Sequence, residues 1–391
     1  MQTYMNKKIT FVTYHNWETK RHGGFHQFAK YVAQKGNEVV FFSFSRPYYS
    51  VLKHDERLNA TIWRKLCRGV SYKVGKGILH NVTWPTFAIP GNLRDHLPVK
   101  VCKWFMTHSL TPFGQFQKKW IEGSDCFVFE SCDALHMLDK ISRYNPNAKI
   151  VYRPSDPVVD ISNEKALVEA EHQMLLKADK IILVNEESRE VYKEAFKDYD
   201  DSKSIVISNG VEISDYKKIY PVPPIMEGKK TALFIGLFDM EWDLIVEAAI
   251  KLPEITFIVV NPNHLQKDIE DKIKGFDNIV YVPGIKPSEV PQWVTNANLI
   301  MQPHPKNVFS NKRSLSLTAK NYKAMAAGKP IVAYMIPKKL ERYGLIVAEN
   351  YNEFIEAVKE NIDNKDFKYK IDLSEKDWDY LCDKFLKVIG Y

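Results

Sequence analysis

At 391 residues, 45% hydrophobic and 26% charged, the chain has apolar material for two cores and exceeds one ordinary domain. No apolar run approaches the roughly 20 residues of a spanning helix, no secretory leader is expected, and the five cysteines (Cys67, Cys102, Cys126, Cys132, Cys382) form no C-x-x-C pair. Residues 1–120 carry 19 Lys and Arg against 5 Asp and Glu, and the remainder 36 against 43, so the N-terminal part is strongly basic.

Free thiols suit a reducing cytoplasm. The histidine spacing is taken to support no zinc site, and neither a metal nor a cofactor is expected. The basic portion implies an anionic partner: a phospholipid surface, an anionic acceptor or nucleic acid. No recognition-module signature accompanies it, so nucleic acid is not expected. A cytoplasmic protein, peripheral on the inner face of the plasma membrane, is the expectation. Basic and aromatic residues alternate around Trp63-Arg-Lys65, Lys100 to Phe105 and Lys118-Lys-Trp120. They would anchor at headgroups or, alternatively, form ring stacks with a solvated charge rim.

In chain order, the pattern predicts a strand over 9–14, a helix over 25–34 and a strand over 39–44, with Gly36-Asn37 turning between the last two. Residues 46–98, rich in Pro, Gly and aromatics, read as an irregular acceptor-side excursion with strand-like pieces near 81–87. Helical texture returns over 100–107 and 113–120. Short apolar strands follow at 126–130, 149–153, 180–184 and 204–207, the later ones separated by helices over 164–176 and 187–196. This alternation points to a parallel sheet covered on both faces. Asn209-Gly210 turns the chain out of the first domain, and Tyr220-Pro-Val-Pro-Pro224 is a stiff linker.

The second domain restarts with a strand over 231–235, a helix over 242–251 and strands over 256–260, 279–282 and 298–302. A hydroxyl-rich loop then enters a helix near Thr318 that ends on Ala-Ala-Gly328. Strands at 331–333 and 345–348, a helix over 351–361 and a tail helix over 374–388 complete it. The division expected is 1–216, 217–373 and a C-terminal helix, 374–391, that crosses back to the first domain.

Ligands of open α/β sheets sit at the carboxyl ends of the strands, which selects a few loops. In the first domain, Trp17, Arg21, His22, Gly23 and Gly24 lie between strand and helix. Rings stack on sugar faces and Gly23-Gly24 opens a helix N-terminus to an anion, so an acceptor contact is expected; a plain surface loop is the alternative. In the second domain the loops carry Gly236, Phe238, Pro283, Gly284, His304, Arg313, Ser314 and Thr318. Lys320 and Lys323 share a helical face near a phosphate-binding end. Asp198-Tyr-Asp200 spells D-x-D but sits in a polar connection and is rejected as a metal site.

Ser314 to Ala333, SLSLTAKNYKAMAAGKPIVA, resembles the donor-binding element of nucleotide-sugar glycosyltransferases of GT-B architecture, and Ser208-Asn-Gly-Val-Glu212 resembles their P-N-G-V-D segment. The resemblance implies an α/β fold with two Rossmann-like domains whose parallel sheets face across a cleft. Retaining members place paired glutamates where this chain has Leu315 and Lys323. The pattern Lys320-x-x-Lys323 before Ala-x-Ala-Ala-Gly328 instead resembles the inverting GumK-like, or xanthan glucuronosyltransferase, group, which has Lys-x-x-Gln there. Tyr152-x-x-Ser155-Asp156 resembles that group's catalytic-Asp segment. It implies Asp156 as the base of an inverting, metal-independent transfer, with a helix cap or turn as the alternative. Arg153 would orient the carboxylate or acceptor, and Glu130 is a second carboxylate on the acceptor side. The expected reaction moves a sugar from a UDP-sugar, UDP-glucuronate foremost, to a lipid-linked or anionic glycan in exopolysaccharide or cell-surface glycan assembly. Alternatives are a UDP-sugar epimerase or hydrolase of the same fold, and a non-catalytic binding protein.

Overall fold

The computed structural model describes residues 7–19, 22–48, 69–94, 96–237, 239–306, 312–365 and 367–390. Contacts divide the chain into two units, Met1–Ser208 with Asp379–Tyr391, and Asn209–Trp378.

The first unit is built on eight strands: β1 (Lys8–Thr13), β2 (Glu38–Pro47), β3 (Val70–Val74), β4 (Gly77–Thr86), β5 (Cys126–Phe129), β6 (Lys149–Tyr152), β7 (Lys180–Leu183) and β8 (Ser204–Val206). Their order is β3-β4-β2-β1-β5-β6-β7-β8. All pairs are parallel except β3 with β4. Ile9 to Thr13 and the whole of β5 are buried, as strands covered on both faces must be. From β1 the chain builds outward through β2 and β4, then returns to lay β5 on the opposite side of β1. The β1/β5 gap is therefore a topological switch point, where the loops diverge and leave room for a ligand.

One expectation needs correction. Part of the stretch expected to be irregular is a hairpin, β3–β4, that extends the sheet. Gly77 is required there, since a Cβ would lie 2.2 Å from the Asn37 carbonyl oxygen and 2.3 Å from that of Ala33. The helical texture of 113–120 resolves into a short α-helix, Phe113–Phe116, continued as a π-turn, Gln117–Ile121. The basic-aromatic cluster at Trp63 lies outside the described residues.

The C-terminal helix, Trp378–Val388, packs almost wholly in the first unit. Phe385 is fully buried, 4.6 Å from the ring of Phe28 and 6.0 Å from that of Phe11. Tyr31 donates to Asp383 and Lys384 to the Val206 carbonyl.

The second unit holds six parallel strands: β9 (Lys230–Ile235), β10 (Ile255–Val260), β11 (Ile279–Val282), β12 (Leu299–Pro303), β13 (Ile331–Tyr334) and β14 (Ile346–Ala348). Their order, β11-β10-β9-β12-β13-β14, repeats the logic of the first unit, with its switch point between β9 and β12. Side chains alternate between two cores: Phe257 and Val259 join one, Ile258 and Val260 the other. Each fully buried aliphatic or aromatic side chain adds about 2 kcal/mol, so every central strand is held from both faces.

Candidate active site

At the first switch point, the end of β1 meets the end of β5. Thr13 donates its hydroxyl to one oxygen of Glu130, and Ser155 donates to the other at 2.8 Å. His15 Nε2 lies 3.6 Å from that second oxygen. Glu130 is only 3% exposed, so its charge must be met locally. Arg153 supplies part of the answer: it too is fully buried, its guanidinium 4.8 Å from the centroid of Phe28. Burial lowers the Arg153 pKa to about 10, and the opposite charge of Glu130 resists that shift. Both residues expected on the acceptor side, Glu130 and Arg153, are thus buried. Glu130 supports the loop after β6 through its bond from Ser155.

That loop carries Asp156. Ser131 Oγ accepts the backbone N–H of Ser155 at 3.0 Å and of Asp156 at 3.4 Å, while Pro154 and Pro157 stiffen the chain on either side. The short helix Val158–Ile161 takes Pro157 as its N-cap and the helix Lys165–Lys177 takes Glu164, so Asp156 caps neither. It is half-buried at the carboxyl edge of the sheet. Glu171, which the sequence reading misses, accepts the N–H of Val158 at 2.8 Å and of Val159 at 2.9 Å. A signal existed: an acid standing among Leu167, Met174 and Leu175 on the apolar face of its helix.

The loop after β1 is a stack of rings. Trp17 lies 5.2 Å from His22 and 5.8 Å from His26, and His22 stacks on His26 at 4.5 Å. His22 and His26 do stand four residues apart, a helical zinc spacing that the expectation of no such pattern overlooks. His26 is fully buried with Nε2 3.1 Å from the Asn16 carbonyl, and burial lowers its pKa to about 3. Gly23 is the N-cap of the helix Gly24–Gln34, with open space where a Cβ would stand. Arg21 lies outside the described residues. Among those described, one group of three, Asp133, His136 and Glu164, could converge on a metal ion. Arg94 already bridges its two carboxylates, at 2.7 and 3.3 Å. Asp198 bonds His172, and Asp200 caps the turn at Ser202.

At the second switch point four expected residues come together. Gly236 follows β9, and a Cβ there would lie 2.5 Å from Lys320 Nζ. The Lys320 ammonium stands 5.5 Å from the ring centroid of Phe234, a neighbour the sequence reading does not single out. His304, at the end of β12, is 5% exposed and edge-on to the same ring. Burial, aided by the charge of Lys320, lowers the His304 pKa to about 4, so the imidazole is neutral at pH 7. Burial, then the charge of Lys323, lowers Lys320 to about 8, and burial also lowers Lys323.

Thr318 is the N-cap of the helix Ala319–Ala326, and both its N–H and its hydroxyl donate to Asn321 Oδ1 at 2.8 Å. Gly328 closes that helix at φ +66°, its N–H bonded to the Met325 carbonyl. Ser314 is buried and Arg313 exposed at the entry to the loop. Pro283 and Gly284 follow the edge strand β11, two strands from β9. Gly284, at φ +89°, faces Pro262 in the loop after β10. That loop is tied back to the Gly236 turn, where Asn263 Nδ2 donates to the Leu237 carbonyl at 2.8 Å. Phe238 lies outside the described residues. The second unit thus offers two lysines and a helix N-terminus, an arrangement suited to a diphosphate.

Comparison with known proteins gives the class. Residues 11–184 match the family model of the glucuronosyltransferase GumK N-terminal domain, and residues 229–364 match that of glycosyl transferases group 1. In fold, the chain superposes on HepE of Anabaena in complex with UDP-glucose, with TM-score 0.61 at 14% identity over 98% of this chain and 99% of that one. Two α/β units with parallel sheets and these two matches define a glycosyltransferase of the GT-B fold. Within that class the chain resembles GumK. It is 30% identical over 152 residues to the UDP-glucuronate:glycolipid 2-beta-glucuronosyltransferase of Xanthomonas campestris pv. campestris, covering 38% of this chain and 35% of that protein. It is also 24% identical over 316 residues to a Bacillus subtilis protein described as the teichuronic acid biosynthesis glycosyltransferase TuaH, covering 73% and 77% respectively. Sugar transfer is the activity that the names of these two relatives share.

Proposed function

We propose that the protein is an inverting, metal-independent transferase that moves a sugar from a UDP-sugar to a lipid-linked or anionic glycan. UDP-glucuronate is the donor the GumK resemblance favours. The observation that carries this reading is Asp156, half-buried at a carboxyl edge and pinned by backbone bonds to Ser131. In a single displacement its carboxylate takes the acceptor hydroxyl proton while that oxygen attacks the anomeric carbon. The bond to the β-phosphate oxygen breaks and its electron pair leaves with UDP. Lys320, Lys323 and the N–H groups of the first helical turn at Ala319 meet the charge that develops there. These cations fill the role a divalent ion serves in other transferases.

The test is transfer from a panel of UDP-sugars to a glycolipid extract in the presence of EDTA, with the product's anomeric configuration read by NMR. Inversion with undiminished turnover is expected, and retention at the anomeric carbon would sink the reading.

Peripheral membrane contact belongs to the same proposal. No helix of the described residues is long and apolar enough to cross a membrane. Leu93, Leu97, Val101, Trp104 and Leu110 are nonetheless exposed around the helix Val99–Thr107, beside Lys100 and Lys103. Apolar tips beside ammonium groups fit the headgroup layer. Sedimentation with phosphatidylglycerol vesicles should pull the protein down. A Val101→Asp, Trp104→Asp variant should bind at least about fivefold less, since each new charge opposes both the apolar and the anionic attraction. Equal pelleting of the two proteins would refute the contact.

A further inference from the structure

We propose that Glu171 is a positioning residue for the transfer step, fixing the turn that carries Asp156 without touching substrate; this rests on the reading of Asp156 as the base. Glu171 is fully buried on the helix Lys165–Lys177. Four donors surround its carboxylate. Oε1 accepts from Tyr152 Oη at 2.6 Å, Tyr192 Oη at 2.7 Å and Val158 N–H at 2.8 Å, and Oε2 accepts from Val159 N–H at 2.9 Å. Burial pushes the carboxyl pKa up, and each of those donors pulls it back.

The placement of the donors is the argument. Tyr152 is the last residue of β6, and Val158 and Val159 open the helix that follows. One carboxylate therefore ties down both ends of the five residues 153–157, in whose midst Asp156 stands. The first turn of Val158–Ile161 needs acceptors for its N–H groups, and no side chain at its own N-cap, Pro157, provides one. Glu171 supplies the cap from a different element. Ser131 holds the same segment from its other side through the N–H groups of Ser155 and Asp156. Removing one clamp leaves a base that is present but loosely aimed, and misplacement of a reacting group on the scale of 1 Å costs about a hundredfold in rate.

The experiment compares Glu171→Gln, Asp156→Asn and the double variant in UDP-sugar turnover, at a temperature where circular dichroism shows each folded. Glutamine keeps the size but loses one acceptor oxygen. The expected result is a kcat at least about tenfold lower in Glu171→Gln with KM for the donor within about twofold. In the Asp156→Asn background the same change should cost nothing further, because both residues act through one group. A folded Glu171→Gln enzyme with wild-type kcat, or an equal proportional loss in both backgrounds, overturns the proposal and leaves the base reading intact. Wild-type turnover by Asp156→Asn overturns the base reading instead. Should Glu171→Gln not fold, Tyr192→Phe removes a single donor and carries the same test. About threefold lower kcat at unchanged KM is expected for it, and unchanged kcat refutes the positioning role.

Discussion

Asp156→Asn is expected to lower kcat by about a thousandfold, the scale of losing a positioned general base, while the affinity for UDP changes by less than about twofold. Asparagine matches aspartate in shape and keeps the backbone bonds from residues 155 and 156 to Ser131, so the segment should stay in place. What it loses is the ability to take a proton at neutral pH. Glu130 is a poor substitute, being buried with each of its oxygens engaged by a hydroxyl. Turnover of labelled donor, paired with calorimetric titration of UDP, reads both quantities. Wild-type turnover in the variant would leave the transfer without an identified base.

Lys320→Ala should act on binding itself, weakening UDP by about a hundredfold, as expected for loss of a charged hydrogen bond in a partly buried site. A pH signature accompanies it. Burial and the neighbouring charge of Lys323 set the free Lys320 near 8. Its folded pKa is depressed, so its contribution to stability is complete only above the unfolded value and is lost as pH falls through about 8. Below that pH the ammonium is charged at a cost that a bound diphosphate relieves, which raises its pKa again. UDP affinity should therefore be flat below pH 8 and fall about tenfold per pH unit above it, as each binding event must take up a proton. Melting-temperature shifts with UDP across pH 6.5 to 9.5 would show this, and the Lys320→Ala protein should show no break. A break that persists in the variant would assign the titration to another group.

Gly236, His304 and Asp156 could be placed from the sequence because each lies within a few residues of an apolar run that reads as a buried strand, and Lys320 and Lys323 because their spacing of three puts them on one face of a helix. A strand's carboxyl end is readable once the run is found, and the switch-point rule then says which ends matter. Glu171 was not legible as a site residue because its partners come from three separate elements, at Tyr152, Val158–Val159 and Tyr192. Only the fold brings those together. Arg153 was expected to orient the carboxylate or the acceptor, and Glu130 to stand on the acceptor side; that both are buried could not be read, because sequence carries no record of burial. The β3–β4 hairpin was missed although Val74-Gly75-Lys76-Gly77 is a turn between strand-like runs, because prolines and aromatics nearby masked the alternation. His22 and His26 stand at a ligand-like spacing, and their ring stack shows why spacing alone does not make a ligand pair.

The helix Trp378–Val388 has one more consequence. Phe11 and Phe28 precede the whole second unit in the chain, yet the ring that covers them, Phe385, follows it. The first unit therefore leaves the ribosome with its hydrophobic interior unsealed, and stays so until the second unit has been made. The second unit, contiguous from Asn209 to Trp378, faces no such wait: every strand of its sheet is in hand before the helix that seals its predecessor has been made.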